Sequence, residues 1–82
     1  MSRIDWEVAA KIAIKLALLS TKYREMSRTE LMGLINAVES HSEPQLLQHL
    51  YWVLRSLDAA EKAREDPEVA EVLRLVREEL WR

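Results

Sequence analysis

The sequence predicts an all-α fold, an up-down-up-down four-helix bundle with short loops. Three observations lead there. Apolar residues recur at steps of three and four through most of the 82 residues. One Gly, two Pro and no Cys leave little of the turn chemistry that strands need, and the rest is rich in Ala, Leu, Glu and Arg, the usage of helix bundles. Helix-start signals follow one another with only a few residues between periodic stretches, which sets consecutive helices antiparallel. A chain of this length makes one domain, burying about 60–65% of the surface it exposes when unfolded.

The first helix is expected over about residues 5–25, where Ile4, Val8, Ile12, Leu16, Leu19, Tyr23 and Met26 share one face. Ser27-Arg28-Thr29-Glu30 reads as a capping box: the Ser27 hydroxyl accepts a first-turn N–H and Glu30 reaches back to the Ser27 N–H. It opens a second helix over about 28–40, with Leu31, Leu34, Ile35 and Val38 inward. Ser42-Glu43-Pro44 repeats the device, a hydroxyl cap, an acidic first turn and a proline where a missing N–H does little harm. The third helix then spans about 43–65 on Leu46, Leu50, Val53, Leu54, Leu57 and Ala60. Asp66-Pro67-Glu68 combines a carboxylate cap with proline at the first helical position, starting a fourth helix over about 67–81 on Val69, Val72, Leu73, Val76 and Leu80. Lengths alternate long, short, long, short. An offset of 38 residues lays Leu31 over Val69, Leu34 over Val72, Ile35 over Leu73 and Val38 over Val76, so two stacked helical-hairpin repeats are the alternative architecture.

Charge and composition exclude several classes of function. Net charge is −2 and no Lys or Arg stands between Arg28 and Arg55, so no basic stripe or recognition helix is available and nucleic acid is not an expected partner. The most apolar window, Val8 to Leu19, carries Lys11 and Lys15, short of the roughly 20 apolar residues a membrane span needs. Acidic Asp5 and Glu7 precede that window, unlike a secretory signal. The expectation is a soluble protein. Absence of Cys removes disulfides and thiolate metal sites and is compatible with the cytoplasm or any other aqueous compartment.

Catalytic and metal chemistry find no pattern. His41 and His49 flank one connection and Glu39 and Glu43 lie near, but the i,i+4 spacing of a helical zinc pair is missing. His41 reads as a partner of helix C-terminal carbonyls, and His49 as a residue at the core edge or in a contact surface. Ser40 and Ser42 adjoin His41, yet chain neighbours do not face one another, and a cap explains Ser42. Gly33 is the only glycine, so no loop can cradle a phosphate. Glu78-Glu79 and Glu65-Asp66 sit in charged, solvated stretches. No catalytic residue, cofactor or metal is expected, and the chain is not expected to be an enzyme.

Charge is distributed unevenly, and that carries the functional reading. Arg55 to Arg82 hold fourteen charged residues in twenty-eight, whereas Thr29 to Leu54 hold only Glu30, Glu39 and Glu43. Depletion of charge with enrichment of aromatics and Met marks the centre of a protein contact. At 100° per residue Trp52 points about 160° from the core stripe of its helix, with Gln45, Gln48 and Ser56 on its side. The expected interface is Met32, Asn36, Gln45, Gln48, His49, Trp52 and Ser56, on helices 2 and 3, with Trp52 as anchor. Tyr51 is expected at the core edge with its ring buried, and Trp6 and Trp81 at the end of the bundle. The predicted function is a non-enzymatic protein-binding helical module with a partner of unknown identity. The alternative is a homo-oligomer formed through helix 1, whose narrow polar stripe, Glu7, Lys11, Lys15 and Lys22, leaves Ile14 and Leu18 to find cover either inside the bundle or against another chain.

The stretch Asp66-Pro67-Glu68-Val69-Ala70-Glu71-Val72-Leu73-Arg74-Leu75-Val76-Arg77-Glu78-Glu79-Leu80 resembles the idealised helices of computationally designed bundles and helical repeats. That resemblance implies an uncharged functional surface, in the middle of the chain, placed on an idealised scaffold to bind a protein target; Gly33 and the two histidines depart from it. Ser27 to Glu39 is also similar, over that segment alone, to the small helical biofilm-regulator connector proteins of enterobacteria. Both resemblances imply a protein that works by contact.

Overall fold

In the computed structural model, residues 3–59 and 65–82 are described. They form four helices, α1 (Trp6–Leu19), α2 (Arg28–Ser40), α3 (Glu43–Ala59) and α4 (Pro67–Glu78). The chain is an all-α bundle in which α1 is flanked by α2 and α4, and α2 packs most extensively on α3. Among the described residues α3 and α4 meet at most marginally, so the second hairpin is not a copy of the first, as a pair of repeats would require.

Local chemistry sets the ends. The Asp5 carboxylate caps α1 by accepting the Glu7 and Val8 N–H groups, and Ser27 accepts the Glu30 N–H at 3.3 Å to start α2. Helix α1 stops at Leu19 rather than near residue 25. The Ser20 and Thr21 hydroxyls donate to the Ala17 and Leu18 carbonyls at 2.6 and 2.8 Å, competing for the acceptors that another turn would use. The connection then swings Lys22 and Tyr23 to Asp66, the cap of α4. Helix α4 ends at Glu78 rather than 81 because the chain leaves it to pair with the start of α1. Asp5 N–H donates to the Leu80 carbonyl and Arg82 N–H to the Arg3 carbonyl, each at 2.8 Å, around an antiparallel bridge between Ile4 and Trp81. This buries Ile4 and Leu80. The expected continuation of helix 3 to residue 65, with Ala60 in the core, falls on residues 60–64 and lies outside the described residues.

The core is continuous from Val8, Ile12, Leu16 and Leu19 through Leu31 and Leu34 to Leu46, Leu50, Val53 and Leu57, and to Val69, Val72 and Leu80. Several positions depart from the expectation: Ala9 and Ala13 of α1 are buried beside the expected stripe. Ala37 is fully buried, and Leu75 replaces Leu73 as the inward residue of α4. Helix α4 rests on α1 and, among the described residues, meets α3 at most marginally, so Leu73, on the flank away from α1, stays exposed.

Candidate functional site

The outer face of α3 carries two large aromatics that the core leaves free. Trp52 is 46% exposed and Tyr51 57%. They meet edge to face at 5.8 Å and 76°. Arg55, one turn on, lays its guanidinium 5.7 Å from the Trp52 ring centre and donates to the Tyr51 hydroxyl at 3.3 Å. The three side chains thus hold one another in place. Gln45 and Gln48 are exposed beside them, and the Ser56 hydroxyl donates to the Trp52 carbonyl at 3.0 Å. Tyr51 was expected with its ring at the core edge. It stands outside because the covered stripe of α3, Leu46, Leu50, Val53 and Leu57, is narrow. Tyr51 and Arg55 were not among the expected interface residues, although their i,i+4 spacing, and the i,i+3 step from Trp52 to Arg55, would have found them.

His49 belongs to the seam between α2 and α3 rather than to the open face. Its Nδ1–H donates to Glu30 Oε2 at 2.5 Å, and its ring lies against the backbone at Gly33. A Cβ at position 33 would sit 2.5 Å from Nε2 and 2.6 Å from Nδ1, so glycine is what lets the imidazole approach this closely. Glu30 spends its carboxylate on His49, and the second half of the expected capping box is replaced by this bond across helices. Met32 and Asn36 are exposed. By their i,i+3 spacing to Ile35 and Glu39 they lie on the flank of α2 turned toward α1, away from the His49 seam.

His41 ends α2 in the left-handed region, at φ 52°. Ser42 N–H donates to the Ala37 carbonyl and His41 N–H to that of Val38, at 3.0 and 3.3 Å, a Schellman ending with histidine in the usual glycine position. The expected ring contact with helix carbonyls is not what forms; the ring stacks on Trp6 at 4.6 Å, with 1° between the planes. The two histidines are thus engaged with different partners. Among the described residues no three His, Asp or Glu side chains converge as a metal site would need.

Strongly perturbed ionisable groups sit in structural contacts. Hydrogen bonds from Lys22 Nζ at 2.7 Å and Tyr23 OH at 2.6 Å, and from the Glu68 N–H at 2.9 Å, hold the Asp66 carboxyl down at about 2. The same carboxylate raises Lys22 and Tyr23 above their ordinary values. Arg74 is raised by its bonds to Glu71 and Glu79, and Glu71 is lowered by Arg74. These are a helix cap and surface ion pairs of α4.

No family model matches the chain, and neither curated proteins nor solved structures give a match. Among the described residues no helix is long and apolar enough to cross a membrane.

A second apolar surface lies on the other side of α2. A groove of about 220 Å³ runs between α1 and α2, with Ala10, Ala13 and Ala17 on one wall, Ile35 and Val38 on the other, and Ile14 and Glu39 beside them. Ile14 is 62% exposed and Leu18 65%, so of the two kinds of cover open to them, inside the bundle or against another chain, the bundle does not supply the first.

Proposed function

We propose that this chain is a non-enzymatic protein-binding module that docks a partner protein through the outer face of α3, with Trp52 as the anchor. The observation carrying the reading is the pair Tyr51 and Trp52, about half exposed and ordered by each other and by Arg55 on the side of α3 opposite its core. Large aromatics with an arginine are the residues that dominate binding energy in protein contacts, and a pre-ordered cluster loses little entropy on docking. Gln45 and Gln48 supply a neutral hydrogen-bonding rim on α3 itself; Met32 and Asn36, on the α1 side of α2, are not part of it. A fitting partner offers an apolar socket for the indole with an acceptor near it for Arg55. The idealised manner of α4, with its cap, proline start and Glu/Arg surface, agrees with a binding face placed on a designed scaffold. The perturbed carboxylates support the non-enzymatic part, since each is held in a cap or a surface ion pair.

The test is Trp52→Ala. Its unfolding midpoint should stay close to that of the parent, because the ring lies outside the core. A purified partner identified by its capture on the parent protein should lose at least about 2 kcal/mol of binding, roughly 30-fold in Kd. A large fall in the midpoint, or an unchanged Kd, refutes the reading.

A further inference from the structure

We infer that the α1–α2 groove is the contact through which two copies of this chain associate, side by side with their α1 helices parallel. The groove and the residue that fits it lie on one face: Ala10, Ala13, Ala17, Ile35 and Val38 form a hollow, and Ile14 projects next to it, 62% exposed. A surface bearing both knob and hole is self-complementary, which is the condition for a two-fold contact. The alanines also let two helix backbones approach closely.

Charge selects the orientation. The stack of His41 on Trp6 puts the end of α2 beside the start of α1, so the helices run antiparallel and Glu39 stands level with Ala10, with which it lines the groove. Lys11 is at the same height on the opposite flank of α1, on the side where Lys15 and Leu18 approach Glu68 of α4. A two-fold axis along α1 preserves height and exchanges flanks. It therefore brings Glu39 of each copy to the partner subunit's Lys11, while Ile14 and Leu18 face the partner subunit's groove. An axis across α1 would set lysine flank against lysine flank, which like charges oppose. This contact is separate from the α3 face and does not depend on it.

Sedimentation equilibrium from about 1 µM to about 1 mM protein tests the inference. The parent should pass from monomer to dimer mass across that range. Ile14→Glu, at an exposed position that leaves the helical circular dichroism unchanged, should raise the dimer Kd by at least about tenfold. Lys11→Glu and Glu39→Lys should each raise it by about two- to fivefold, and the double variant should return to within about twofold of the parent. Trp52→Ala should leave it unchanged. A parent that stays monomeric throughout, a dimer indifferent to Ile14→Glu, or a charge exchange without rescue overturns the proposal.

Discussion

Replacing Gly33 with alanine sets two well-characterised effects against each other. In the middle of a helix Gly→Ala ordinarily stabilises by about 0.8–1 kcal/mol, because alanine loses less backbone entropy. In α2 the new methyl would lie 2.5 Å from His49 Nε2 and 2.6 Å from Nδ1, where ordinary contact begins at 3.4 Å. The ring must retreat by roughly 1 Å, and overpacking of that kind costs about 1–3 kcal/mol. Retreat also breaks the 2.5 Å bond to Glu30, and a hydrogen bond to a charged group contributes about 1.5–3 kcal/mol. The two costs overlap, since one movement relieves the clash and loses the bond. After the helix-propensity gain a net destabilisation of about 1–2 kcal/mol remains, a fall in Tm of about 4–16 °C for a domain of this size. Urea denaturation followed by circular dichroism measures it. His49→Ala in the Gly33→Ala background removes the obstacle, so the double variant should exceed His49→Ala alone by about 1 kcal/mol. A Gly33→Ala protein at least as stable as the parent would refute the seating of His49 on the α2 backbone.

Two further outcomes follow from the polar contacts at the helix ends. His41→Ala keeps the left-handed backbone and loses the stack on Trp6, so it should destabilise by about 0.5–1.5 kcal/mol, whereas His41→Gly also relieves the conformation and should fall between that variant and the parent; equal stabilities for the two variants would contradict the φ of 52° at this position. Asp66 has its folded pKa depressed to about 2 from an ordinary value near 3.9, so its contribution is complete above about pH 4 and is lost as pH falls through about 2. Asp66→Asn should therefore show a shallower loss of stability between those pH values in acid titrations monitored by unfolding; a variant with the parent's full acid dependence would refute the role of the Lys22–Tyr23–Asp66 cluster.

The two apolar surfaces divide the molecule between them. The α3 face, proposed to dock a different protein, presents two half-exposed aromatics and an arginine, while the α1–α2 face, proposed to join a second copy, presents a hollow and a branched aliphatic residue. His49, Gly33 and Glu30 fill the seam between α2 and α3, and a change there should act on both faces through the helix packing rather than by direct contact.

The sequence by itself determined the helices, most of their starts and most of the core. Periodicity at 3.6 residues and side-chain caps such as Ser27 and Asp66 act within a few residues of where they stand, so their chemistry is legible locally. It placed Trp52 across its helix from the core stripe and Ile14 and Leu18 beside a narrow polar stripe, but whether the bundle itself covers them was decided by the packing, which leaves all three exposed. Only the tertiary structure decided what covers each flank. Leu75 is buried and Leu73 exposed because α4 packs on α1 and, among the described residues, meets α3 at most marginally. Glu30 leaves its own cap for His49 because Gly33 admits the ring, and α1 stops at Leu19 as its connection carries Lys22 and Tyr23 to Asp66. Each of these joins residues far apart in the chain, and such pairings depend on which surfaces meet when the helices pack.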